Sequence, residues 1–174
     1  MPIQIVCGDI TLFQADAIVN AANTSLLGGG GVDGAIHKAA GPELLTECRG
    51  LKGCPTGEAK ITSAYRLPAK YVIHTPGPVW HGGGHGEEKK LRNCYQNSLL
   101  LADAYGCESV AFPSISTGVY RFPISRAAAI ALKTIQETMV RCKYVKTVTM
   151  VCFSEPDRAI YQSALENLSA RGAT

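Results

Sequence analysis

Hydrophobic and polar positions along the chain follow two alternating periods. Short runs of β-branched and other apolar residues lie at 3–7, 17–20, 59–63, 71–75, 109–113 and 145–153, and these are expected to be strands. Between them, apolar residues recur every three or four positions, as on one face of a helix. Leu91, Tyr95, Leu99 and Ala102 follow that spacing, as do Ala128, Leu132, Ile135, Met139 and Cys142, and then Tyr161, Leu165 and Leu168. Ser154, ahead of Glu155, Pro156 and Asp157, is placed to cap the last helix. Strands separated by helices predict an α/β sandwich with a largely parallel sheet. Val110-Ala111-Phe112 is apolar throughout, which suits a strand buried on both faces. Ligands of such sheets sit outside the carboxyl ends of the strands, so the strand-to-helix loops are where chemistry is expected.

Composition narrows the class. The length of 174 residues suits one domain spanning 1–174, and no repeat, linker or charge block divides it. With 46% hydrophobic residues and a formal net charge of +3, the chain is expected to fold rather than stay disordered. No apolar run reaches the roughly 20 residues of a membrane span. Met1-Pro2-Ile3-Gln4 lacks the basic and apolar regions of a signal peptide. The small positive charge is a weak footprint for nucleic acid, so neither a membrane nor a nucleic-acid partner is expected. The seven cysteines, at 7, 48, 54, 94, 107, 142 and 152, form no CxxC pair and read as reduced, mostly buried thiols of a cytoplasmic protein. Glycine is concentrated: eight of the 18 fall at 28–31 and 82–86.

The first glycine run follows the strand ending near Asn20 and precedes a helix expected to begin near Asp33, with Ile36 and Ala40 on its buried face. Glycine admits positive φ and lets a ligand approach backbone N–H groups. Beside a helix N-terminus such groups favour an anion, best a phosphate. Gly29, Gly31 and Gly34 match GxGxxG formally, but the residues from Asn20 to Leu27 intervene where a dinucleotide fold runs from strand to glycine almost directly. No Gly-Lys-Ser/Thr follows, which sets the P-loop aside. Of Asn20 and Asn23, one is expected to brace loop backbone, and Asn23, nearer the glycines, is placed to hold a ribose hydroxyl. Asp33 reads either as a helix N-cap or as a carboxylate facing the ligand; at a helix N-terminus its pKa is expected to be lowered.

A second loop, Pro113-Ser114-Ile115-Ser116-Thr117-Gly118-Val119-Tyr120-Arg121-Phe122-Pro123, lies between a strand and a helix expected near Ser125. Its small residues offer a second set of free N–H groups. Tyr120 and Phe122 either wall the pocket or plug the core. No serine here has an adjacent base in sequence, so an acyl-enzyme is not expected. No metal is expected either: His81 and His85 are four apart, but Gly82–Gly84 break the helix that would present them together, and the stretch reads as a mobile surface loop. His37 and His74 read as structural.

Taken together, these segments resemble a known family. Gly8-Asp9-Ile10-Thr11, Asp16-Ala17-Ile18-Val19-Asn20-Ala21-Ala22-Asn23 and the run from Gly28 to Ile36 are similar to those of macrodomains. Ala40-Gly41-Pro42, Cys54-Pro55-Thr56-Gly57-Glu58-Ala59, the segment from Leu67 to Thr75 and Ile115-Ser116-Thr117-Gly118-Val119-Tyr120 continue the likeness over nearly the whole chain. The pattern is that of the MacroD-like branch, which includes O-acetyl-ADP-ribose deacetylases and mono-ADP-ribosyl hydrolases.

The resemblance implies a three-layer α/β/α sandwich, with a central mixed, largely parallel sheet, that binds ADP-ribose and needs no cofactor. It implies that Asp9 bonds the adenine amino group with the Ile10 backbone beside it, and that Phe153 stacks on the base. Gly30, Gly31 and Val32, with Ser116, Thr117, Gly118, Val119 and Tyr120, would hold the diphosphate. Asn23 and Asp33 would flank the distal ribose as the catalytic pair. The implied reaction is hydrolysis of ADP-ribosyl esters, on O-acetyl-ADP-ribose or mono-ADP-ribosylated proteins, without a covalent enzyme intermediate. Water would sit between Asp33 and a substrate phosphate oxygen. The alternatives are an ADP-ribose reader without turnover and, more remotely, an RNA binder. One departure stands out: Arg121 occupies a position where this branch usually has glycine.

Overall fold

The computed structural model of the protein describes residues 2–172. Six strands and five helices follow one another in the order β1 (Ile3–Cys7), β2 (Ala17–Ala22), α1 (Gly31–Ala40), α2 (Pro42–Leu51), β3 (Lys60–Ser63), β4 (Tyr71–Pro76), α3 (Glu87–Ala104), β5 (Ser109–Phe112), α4 (Ile124–Met139), β6 (Thr147–Cys152) and α5 (Glu155–Gly172). A single 3-10 turn, Ile10–Leu12, follows β1. The sheet order is β1-β6-β5-β2-β4-β3. All neighbours are parallel except β3, which runs antiparallel to β4 at one edge. The sheet is therefore mixed and largely parallel, as expected.

Side chains of a strand point alternately to its two faces, and the core divides accordingly. Ala17 and Val19 of β2 join the apolar cluster formed with α3, α4 and α5. Ile18 joins the cluster formed with α1 and α2 on the opposite face. These are the two outer layers of an α/β/α sandwich. Asn20 is next in line on the face of Ile18, and its register partner on β4 is His74. Both are fully buried polar residues in an otherwise apolar strand pair.

Local chemistry explains the places where sequence periodicity fell short. Helix α2 carries only two buried residues, Leu44 and Cys48, one turn apart, too faint a stripe to read. Its start is marked by Gly41 at φ +94° followed by Pro42 in the first turn, where the missing N–H costs nothing. Helix α1 starts at Gly31 with Gly30 as its N-cap, so Asp33 is the third helical residue and the N-cap reading of Asp33 is corrected. Ser154 does cap α5, its Oγ accepting the Asp157 N–H at 3.3 Å. Five cysteines are buried; Cys7 is exposed and Cys142 half-buried, and all seven are free thiols.

The glycine-rich stretch before α3 is anchored, contrary to the mobile loop expected. The buried Glu87 carboxylate accepts the N–H groups of His81 (2.9 Å), Gly83 (2.9 Å) and His85 (2.6 Å). Burial alone raises a carboxylate pKa, but here these N–H groups outweigh it and hold Glu87 at about 2. Among the described residues, no helix is long and apolar enough to cross a membrane. No group of three or more His, Cys, Asp or Glu among them lies close enough to hold a metal ion.

Candidate functional site

Strands β2 and β5 are parallel neighbours, with Ala17 opposite Val110. From its carboxyl end β2 leads to α1 on one face of the sheet, while β5 leads to α4 on the other. Loops that leave adjacent strands for opposite faces open a crevice between them. The topology thus brings the two loops singled out in the sequence, 23–31 and 113–123, to one cleft.

In the first loop the glycines divide into two kinds. Gly29 and Gly34 are steric necessities. A Cβ on Gly29 would lie 2.6 Å from Asn23 Nδ2 and 3.1 Å from Asp33 Oδ2, and one on Gly34 would lie 2.5 Å from the Gly29 carbonyl oxygen. Gly30 and Gly31 instead face open space. None of the N–H groups of residues 28–32 has a protein acceptor among the described residues. Those of Gly31 and Val32 open helix α1 and carry its partial positive charge.

The second loop repeats this arrangement. The N–H groups of residues 116–120 also have no acceptor among the described residues. Ser116 is held at φ +68°, a conformation uncommon outside glycine, and its buried Oγ has no partner. Gly77 makes room for it, since a Cβ there would collide with Ser116 Oγ and lie 2.6 Å from Ile115 Cγ2. From below, Ser114 Oγ bonds Tyr161 OH (2.6 Å) and Thr117 Oγ1 (2.7 Å), and Tyr95 OH accepts the Ile115 N–H (3.2 Å). The Thr117 hydroxyl is therefore turned into the loop, while Gly118 has open space and Val119 is 92% exposed.

Tyr120 and Phe122 have separate tasks. Phe122 is buried and packs on Trp80 with ring centroids 4.7 Å apart. Tyr120 reaches across the cleft, its OH donating to Asn23 Oδ1 at 3.2 Å. Asn23 Nδ2 in turn donates to the Gly28 carbonyl at 2.9 Å, so Asn23 is the asparagine that braces the loop and also joins its two walls. Arg121 adopts φ +62°, a left-handed conformation that glycine takes more readily than a residue with a side chain.

Asp33 lies under Gly29 on the buried face of α1, three and seven residues before Ile36 and Ala40. Its Oδ1 accepts Asn20 Nδ2 at 2.8 Å and lies 3.5 Å from His37 Nε2, while the buried Oδ2 has no partner. Burial raises its pKa above the ordinary carboxylate value, against the Asn20 hydrogen bond and the His37 charge. The lowered pKa expected from the helix terminus is thus corrected: desolvation by burial is the largest influence on Asp33 and outweighs the Asn20 hydrogen bond and the His37 charge.

The sheet order sets β6 and then β1 beside β5, so their carboxyl ends extend the cleft. Phe153 follows β6 and is 93% exposed. Asp9 follows β1; its Oδ1 accepts the Thr11 N–H (2.9 Å) and hydroxyl (2.7 Å), capping the 3-10 turn. The N–H of the buried Ile10 beside it has no acceptor among the described residues. The sequence alone assigned no site role to Gly77 or His74; the place of Gly77 between Pro76 and Pro78 is the one local signal for it.

Comparison with known proteins identifies the family to which this fold belongs. The Macro domain family matches residues 19–131. A Macro domain-containing protein of Lactiplantibacillus plantarum is 62% identical over 168 residues, covering 96% of this chain and 98% of its own. An O-acetyl-ADP-ribose deacetylase of Citrobacter rodentium is 54% identical, covering 94% of each chain. A mutant of the Oceanobacillus iheyensis macrodomain, solved with ADPR, superposes with a TM-score of 0.91 at 50% identity, over 95% of this chain and 92% of that one. The chain belongs to the Macro domain family.

Proposed function

We propose that the protein binds ADP-ribose along this cleft and hydrolyses ADP-ribosyl esters. One observation carries the reading: two runs of N–H groups without an acceptor among the described residues, 28–32 and 116–120, flank one crevice, with Asn23 bridging to Tyr120 across it and Asp33 set under Gly29. Backbone dipoles aimed at one point bind a diphosphate without lysine or arginine. The exposed Phe153 and the Asp9–Ile10 turn lie at the β1/β6 end, where they suit an aromatic base with an amino group. Asn23 and Asp33 lie at the opposite end, where the distal ribose and its ester would fall. The ADPR-bound relative and the relatives named as O-acetyl-ADP-ribose deacetylases support the choice of ligand and of reaction.

In this mechanism Asn23 orients the distal ribose for attack. Asp33, made more basic by burial, shares a water with a substrate phosphate oxygen. The water attacks the ester carbonyl, the ribosyl oxygen leaves, and no covalent enzyme intermediate forms. Acetyl esters and esters on acidic protein side chains both meet these requirements. One observation favours a second reading, a reader without turnover: Asp33 Oδ2 is shielded from solvent here.

Side-by-side turnover of O-acetyl-ADP-ribose and of a glutamate-linked ADP-ribosyl protein, with calorimetric titration of ADP-ribose, tests the proposal. Release of acetate or of free ADP-ribose, together with saturable binding, is expected. Binding without release from either ester leaves the reader.

A further inference from the structure

Behind Asp33 a line of buried polar side chains crosses three adjacent strands. Asn20 on β2, His74 on β4 and Thr62 on β3 are each no more than 2% exposed. Asn20 Nδ2 lies 2.8 Å from Asp33 Oδ1 and 3.2 Å from His74 Nδ1. His74 Nε2 lies 3.0 Å from Thr62 Oγ1, which lies 3.1 Å from the Ser63 carbonyl oxygen.

The directions of these bonds are fixed by chemistry. An amide nitrogen only donates, and its two hydrogens serve Asp33 and His74. His74 Nδ1 must therefore accept, which puts the proton of the neutral ring on Nε2, donated to Thr62. The Thr62 hydrogen is left for Ser63. The ring stays neutral because burial, and then the charge of His37, push its pKa down to about 3. The other titratable groups nearby are Asp33 and His37 on α1 and, on α2, Cys48, whose Sγ is 3.7 Å from Nε2 and whose thiol is held at about 11 by burial, with Glu47 and Asp33 adding to it. A reversed Asn20 amide would set its oxygen against the ionised Asp33 carboxylate, a repulsion that no change of His74 tautomer removes. With Asp33 ionised, that repulsion selects the orientation described.

We propose that Asn20, His74 and Thr62 are positioning residues: the chain locks the Asn20 N–H onto Asp33 Oδ1 and leaves Oδ2 as the oxygen that takes the proton. The proposal rests on Asp33 being the base. Oδ2 takes a proton from water as the water oxygen bonds to the ester carbon. When the carbon–oxygen bond to ribose breaks, the ribose oxygen takes that proton back. Oδ2 is the carboxylate oxygen left without a partner, and because it is shielded from solvent the step requires a water brought to it with the substrate.

The test compares Asn20→Leu, Thr62→Val, His74→Leu and His74→Gln with the unaltered protein and Asp33→Asn, measuring kcat, KM, pH profile and ADP-ribose affinity on O-acetyl-ADP-ribose. Asn20→Leu is expected to lower kcat about tenfold to a hundredfold, the range for a hydrogen bond to a charged group. KM and ADP-ribose affinity should stay within about twofold, since the cradles are untouched. Its acid limb should move to higher pH, because a bond that lowers the Asp33 pKa is lost. His74→Gln should recover most of what His74→Leu loses, since its amide accepts from Asn20 and donates to Thr62. If the leucine variants do not fold, Thr62→Val, which conserves volume, must lower kcat by itself.

Unchanged kcat and pH profile in Asn20→Leu or Thr62→Val, with Asp33→Asn inactive, overturns the positioning role alone. Equal loss of kcat and ADP-ribose affinity overturns it too, showing a structural role. Full activity in Asp33→Asn, or none in the unaltered protein, removes the base and the inference with it.

Discussion

Asp33 and His74 respond to pH in ways set by burial. Asp33 binds its proton more tightly folded than unfolded, because burial raises its pKa from 3.8. Stability from this group is therefore present at low pH and lost as pH rises through the folded pKa. Asp33→Asn should accordingly melt higher than the unaltered protein at pH 7, with the gap closing toward pH 4; a lower melting temperature at pH 7 contradicts it. His74 has the opposite sign: its pKa falls from 6.5 to about 3, so the unfolded chain takes up a proton that the folded chain refuses. Its contribution is present above pH 6.5 and lost as pH falls toward 3. His74→Gln should flatten the stability profile across that window in urea titrations, and an unchanged slope would count against a neutral buried ring. Position along the chain marked Asp33 as a residue of the helix start. It did not reveal the burial, which comes from sharing a helix face with Ile36 and Ala40 under Gly29.

At the scale of elements, the site depends on two strand-to-helix loops held in unusual backbone. Gly34 lets the first turn of α1 meet the Gly29 carbonyl, so Gly34→Ala forces backbone apart. It should cost about 1–3 kcal/mol in a denaturant melt. Arg121 lies in the left-handed region, where an L side chain costs roughly 1–2 kcal/mol. Arg121→Gly removes that strain but frees the unfolded chain, so a net gain of roughly 0.5–1 kcal/mol is expected by the same measurement. Both loops were legible in the sequence as glycine and small-residue runs between strand and helix. The stretch around Gly82 to Gly86 was misread as mobile because composition alone cannot show that Glu87 binds three of its N–H groups. Likewise, Phe122 and Tyr120 could not be told apart until Trp80 was seen against one and Asn23 against the other.

For the whole molecule, the order of the sheet decides what the cleft contains. Alternation of strands and helices foretold a largely parallel sheet, but not that β6 and β1 would extend the site beside β5, nor that β3 would reverse at the far edge. Pairing across the sheet is set by contacts distant in sequence, such as Cys7 with Cys152, which local periodicity does not encode. The fold presents backbone N–H groups to the ligand on a chain of net charge only +3. Affinity for ADP-ribose should therefore change less than about tenfold between low and high salt, since few mobile charges are screened. A steep linear loss on logarithmic axes, with RNA competing, belongs to the nucleic-acid reading instead. The central claim is that one cleft both binds ADP-ribose and turns over its esters through Asp33. Asp33→Ala tests it most directly, with ester hydrolysis and ADP-ribose affinity measured on the same sample. The account predicts hydrolysis lost by at least about a hundredfold with affinity largely kept. Undiminished hydrolysis in Asp33→Ala would contradict it.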